Sequence, residues 1–214
     1  RVVDEFDLPD SREKLAQQAL QDIERVLLER RKQRQFVLKQ TAQFVTELFN
    51  ALQAVVSECR ERGLTELGEP RFIEHPAGGG RRALYIPIED WNVTFVPLVG
   101  TARPNIRDEA QIPGILFKQV AGRVAVFIGS DQDSTAFYDF LVLPTGAWFA
   151  WGYGWPRQAS TLEETDFKML AYGLMSSFIK DIFTTWRTRD ETTLGAAMDA
   201  RRRAYVFGLP GDEV

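Results

Sequence analysis

The side chains able to do chemistry are few and far apart along this chain. His75 is the single imidazole and Cys59 the single thiol in 214 residues, so neither a histidine-rich nor a cysteine-based metal site can be assembled from one chain. No serine stands in a nucleophile-elbow setting, and a Ser-His-Asp arrangement around His75 has no local signature. His75 reads as a strand-end residue and Cys59, which falls on an apolar helical stripe, as a buried thiol. The carboxylates are more suggestive. Asp131, Asp133, Thr135 and Asp139 offer oxygens at nearly alternating positions, as a calcium loop does, yet Ala136 stands where that loop needs glycine and Val142 where it needs a carboxylate.

The same run, Asp131-Gln132-Asp133-Ser134-Thr135, follows the apolar strand Val124–Ile128 and resembles the Asp-x-Asp-x-Thr signature of haloacid-dehalogenase-type phosphatases. The resemblance implies a nucleophilic Asp131, an acid/base Asp133 and magnesium held beside them. It covers five residues, and Gly129-Ser130 separate the strand from the first aspartate. That family also requires a doubly wound parallel sheet and a later acidic pair, for which the rest of the chain leaves little room. A polar hairpin turn is therefore the expected reading, and a carboxylate-based phosphatase-like enzyme using Asp131, Asp133 and Asp139 the least favoured one.

Binding features are easier to find than catalytic ones. Gly78-Gly79-Gly80-Arg81-Arg82 combines free backbone amides with two guanidiniums, although the Lys-Ser/Thr ending and strand-to-helix setting of a phosphate-binding loop are missing. It reads first as a hairpin tip, with Arg81 and Arg82 as anion-binding candidates. Basic clusters at Arg30, Arg31, Lys32 and Arg34, and at Arg201, Arg202 and Arg203, could meet phosphates or an acidic partner. The run from Trp148 to Trp155 carries five aromatic residues. In a strand it would place Phe149, Trp151 and Tyr153 on one face and Trp148 on the other. Core under a following helix is the first expectation, and Trp148, Trp151, Tyr153 and Trp155 are the candidates for a ligand or partner surface.

The elements that must position these residues follow from periodicity. From Ser11 to Glu61 there is neither proline nor glycine. Asp10 or Ser11 can cap a helix there and Gly63 can end it. Leu15, Ala19, Ile23, Val26 and Leu27 form one apolar stripe, and Val37, Phe44, Leu48, Leu52, Val55 and Cys59 a second. Glu29–Gln35 between them holds no apolar residue. An unbroken helix would be roughly 75–80 Å long at ~1.5 Å per residue, against a radius of gyration of about 17 Å for a compact chain of this size. Either another chain covers its stripe, or it breaks at 29–35 into a hairpin.

After Pro70 the pattern becomes strand-like over 71–75, 82–89, 91–99, 115–120, 123–128, 135–143 and 147–153, with Gly/Pro/Asp turn signals between most of them. Short connections predict antiparallel hairpins, and 100–114 reads as a loop. Ser160 and Glu163 suggest a capping box ahead of a helix with Phe167, Leu170, Leu174, Phe178, Ile182 and Trp186 on one face. A shorter helix is expected near 193–203, then an acidic tail. The expected fold is α+β: a long N-terminal helix or helical hairpin over residues 1–63, then a domain over 64–214 with an antiparallel sheet of six or seven strands and a C-terminal helix across one face.

Composition bounds the function. Hydrophobic residues at 44% and charged residues at 26% match a globular chain with a core, not a disordered one. A net charge of −4 and pI near 5.2 weigh against a broadly basic nucleic-acid or membrane-surface protein. No apolar run approaches the roughly 20 residues that span a bilayer, and no signal-peptide pattern opens the chain, which begins at Arg1. One cysteine fits a reducing, cytoplasmic setting. The expectation is a non-enzymatic interaction module without a cofactor, self-associating or docking a protein partner through its N-terminal helix and presenting a recognition surface on the sheet. Nucleic-acid association through the clusters at 30–34 and 201–203 is the alternative.

Overall fold

A computed structural model describes residues 9–98, 122–130, 134–143, 145–152 and 159–186. The chain divides into two compact units, one ending at Phe36 and the other beginning at Val37.

Helix α1 runs without a break from Pro9 to Glu61. Pro9 occupies the first helical position, where a missing N–H costs nothing. The polar stretch at 29–35 stays helical because arginine, lysine, glutamine and glutamate are good helix formers. Losing the apolar face there removes a packing surface and no backbone hydrogen bond. The unbroken helix is thus the outcome, and the hairpin is not formed. Gly63 ends it at φ 86°, a conformation that favours glycine. The Leu64 N–H donates to the Cys59 carbonyl at 3.2 Å and the Gly63 N–H to that of Arg60 at 2.9 Å, the paired bonds of a Schellman motif.

In the second unit β1 (Arg71–Glu74), β2 (Arg82–Ile88), β3 (Trp91–Leu98), β4 (Gly122–Ser130), β5 (Ser134–Val142) and β6 (Trp148–Gly152) form one sheet in sequence order. Each strand is antiparallel to the next, the meander that the short connections predict. The strand expected at 115–120, the helix expected near 193–203 and the segments 100–114 and 208–214 lie outside the described residues. In the β4–β5 ladder Val126 pairs with Tyr138 but Phe127 with Ala136. Phe137 is therefore the extra residue of a bulge.

One sheet face carries Leu84, Ile86, Val93, Phe95, Val126, Tyr138 and Phe140, packed with Phe44, Leu48, Leu52 and Val55 of α1 and with Ala171, Leu174 and Phe178 of α2 (Phe167–Trp186). Phe44 is central to this layer. Its ring lies 5.6 Å from Phe140, 5.0 Å from Trp148 and 5.7 Å from Phe167. Such tilted pairs add to the area they bury. Residues 37–61 of α1, which the sequence pattern groups with the arm, thus belong to the core of the sheet unit. At the start of β4, a Cβ on Gly122 would lie 2.2 Å from Thr41 Oγ1 and 3.0 Å from its Cβ. Only glycine lets the helix come this close.

The opposite face is buried too, around Ala83, Val96, Leu98, Ala125 and Phe127. Burial on both faces explains the uninterrupted apolar run in β4. It also decides the aromatic strand. Trp148 and Ala150 belong to the helix-covered core, while Phe149, at 1% exposure, is buried on the other side, so Phe149 is not beneath α2. The predicted capping box is likewise displaced. Thr161 and Glu164 bond reciprocally, N–H to side chain at 3.4 and 3.3 Å, and close a separate turn. The cap of α2 itself is Asp166, whose Oδ1 accepts from the Met169 N–H at 3.0 Å.

Candidate interaction surface

From Arg12 to Phe36 every residue of α1 is exposed. Exposure is ordinary for the charged ones. It is not ordinary for Leu15, Leu20, Ile23, Val26 and Leu27, each of which leaves between 47 and 60% of its surface uncovered. These residues, with Ala16 and Ala19, recur three and four apart and so share one side of the helix. Scattered exposed leucines need no explanation, whereas a continuous exposed apolar stripe is a candidate contact surface. The pattern resumes at Val37, where it is buried: Val37, Phe44, Leu48, Leu52 and Val55 are each at most 5% exposed. Arg30 and Arg34 follow the stripe at the same three- and four-residue spacing, and with Arg31 and Lys32 they are exposed. Asp22 and Arg25 pair at 3.1 Å.

The other predicted residues are scattered. Trp148 is not on a surface: it is 8% exposed, and its indole N–H donates to Thr165 Oγ1 at 2.8 Å. Trp151 lies in β6 opposite Asp139, while Tyr153 and Trp155 lie outside the described residues. Arg81 reaches back to the Leu98 carbonyl at 3.5 Å and is half-buried, with Arg82 exposed beside it. Arg201, Arg202 and Arg203 lie outside the described residues, as do Asp131 and Asp133. Asp139 is fully buried and accepts from Arg123 Nε at 2.7 Å and Nη2 at 3.2 Å, a two-pronged ion pair. That geometry gives Asp139 a structural partner. The His75 ring lies 4.5 Å from that of Phe127 and is tilted 43° to it, and burial holds its imidazole below the usual range. Cys59 packs against the core but is half-buried, not the buried thiol that its place on the stripe predicts.

Two polar groupings escaped the sequence reading. The Arg123–Asp139 pair is one; its only signal is a single opposite charge in each of two neighbouring apolar strands. The other ties α1 to α2. The Tyr172 hydroxyl donates to Glu58, Arg62 pairs with the same carboxylate at 2.9 Å, and Lys168 stands 3.9 Å away. The Tyr172 bond and the two cations hold Glu58 below the ordinary carboxylate range, and the same bond to Glu58 raises the Tyr172 phenol. It is a clamp between helices rather than a pocket.

Among the described residues no three histidine, cysteine or carboxylate side chains stand together as metal ligands, and no helix is long and apolar enough to cross a membrane. A shallow cleft between the end of α1 and the start of β1 is lined by Gln53, Ser57, Arg60, Glu61, Glu69 and Pro70; within it the Ser57 hydroxyl donates to Glu61 Oε1 at 3.5 Å, one turn along the same helix. Compared with known proteins, the chain matches no family model, no curated protein and no solved structure.

Proposed function

We propose that this chain is a non-enzymatic interaction module that associates through the first half of α1, with the sheet unit as its folded body. The exposed stripe from Leu15 to Leu27 carries the reading. A helix in water owes most of its stability to packing of its apolar face, and here that face is bare in the single chain. Covering a side chain of this size contributes about 1.5–3 kcal/mol, so five of them on one face favour association even after its entropic cost.

Light scattering over a concentration series tests this. The chain should show a mass above the 24.4 kDa of one copy, and Ile23→Asp with Leu27→Asp should return it to that value. A wild-type chain that stays at one copy throughout would contradict the proposal. Charge reversal at Arg31 and Lys32, which lie outside the apolar stripe, separates it from nucleic-acid binding. If the clusters served phosphates, binding to duplex DNA would fall steeply with added salt and collapse on reversal, while an apolar interface would persist.

A further inference from the structure

We infer that the partner of this surface is a second copy of the chain, lying antiparallel to the first and crossing it between Ile23 and Val26. The inference rests on the proposed function and fixes its geometry. Ala16, Ala19, Ile23, Val26, Arg30 and Gln33 alternate at three and four residues, the spacing of a two-helix seam. In a parallel pair each seam residue meets its own copy, so Arg30 faces Arg30 with small alanines opposite each other farther along. In an antiparallel pair Ile23 faces Val26, while the long Arg30 and Gln33 lie against the small Ala19 and Ala16.

The flanks agree. Glu13, Leu20, Leu27 and Arg34 recur every seven residues on one side of the seam. Antiparallel pairing sets Leu20 against Leu27 and Glu13 against Arg34, twice each by symmetry. On the other flank Leu15 meets Phe36, which covers two more exposed apolar side chains. The unfavourable contact is Asp22 against Glu29, and Asp22 is already neutralised by Arg25 at 3.1 Å. A parallel pair would instead set Arg34 against Glu29. The two orientations therefore give Arg34 different partners: residue 13 or residue 29.

A double-mutant cycle on the full-length chain, read by sedimentation equilibrium, distinguishes them. Arg34→Glu should weaken the dimer by roughly tenfold, since two flank pairs are reversed. Glu13→Arg should restore it in the Arg34→Glu background, while Glu29→Arg should act equally whether residue 34 is arginine or glutamate. Residues 13 and 34 are too far apart within one helix to couple directly, so coupling reports the partner chain. As a second measurement in a Cys59→Ser background, chains carrying Leu20→Cys mixed with chains carrying Leu27→Cys should form a disulfide-linked heterodimer. Coupling of residue 34 to 29, or failure of the 20–27 link in a dimer, would overturn the antiparallel arrangement and leave self-association standing. A chain that remains a single copy would overturn both.

Discussion

Arg123 and Asp139 are each more than nine-tenths buried, and their cost and benefit are inseparable. Two charges removed from water are tolerated because the guanidinium meets both carboxylate oxygens. Taking away one partner leaves the other stranded. Arg123→Ala should therefore destabilise the fold by about 3–5 kcal/mol in urea unfolding, whereas Arg123→Leu with Asp139→Leu should cost far less. Equal losses from the single and double changes would contradict this. His75 gives a second prediction at the same scale. As the only histidine, its ring protons are assignable without mutagenesis. The folded imidazole, disfavoured as a cation by burial, should titrate below the ordinary value near 6.5. Because the folded state binds this proton less readily, its contribution is complete above the unfolded pKa and is lost as pH falls from there through the folded value. His75→Gln should remove that part of the acid-side slope. An imidazole titrating at or above 6.5 would refute the burial argument.

Between elements, Thr41 on α1 comes close against Gly122 on β4. Gly122→Ala should destabilise by about 1–3 kcal/mol, as overpacking does, and Thr41→Ala should recover most of it in the double variant; additive losses in thermal unfolding would show that the contact is not the cause. Element boundaries were legible where turn chemistry was explicit, as at Gly63, and less so between β2 and β3, where Glu89, expected in the strand, falls in the turn with Asp90. They were not legible where the sequence recorded an apolar face without recording its cover. The stripe from Leu15 to Leu27 and the one from Val37 to Cys59 read alike, yet one is bare and the other is core. Trp148 and Phe149 posed the same difficulty, since strand alternation separates two faces and cannot tell which one the helices take. Nor did spacing distinguish Ser160–Glu163 from Thr161–Glu164 as the reciprocal pair, because both fit a capping box. The candidate surface itself was visible in the sequence. The Arg123–Asp139 pair was not, because pairing depends on a register that no local pattern encodes.

At the scale of the whole molecule, the chain keeps a layered core in one unit and an uncovered apolar helix face in the other, and the account stands on the claim that this face is covered in solution. Hydrogen exchange over residues 11–36, followed as a function of protein concentration, tests that claim most directly. A bare helix without tertiary packing opens easily and exchanges fast, while a packed one is protected. The account predicts that protection of amides around Ile23 and Leu27 rises with concentration and is lost in the Ile23→Asp, Leu27→Asp variant, with the strands of the sheet unchanged. Fast exchange at residues 11–36 that is the same at every concentration, and the same in the variant, would contradict it.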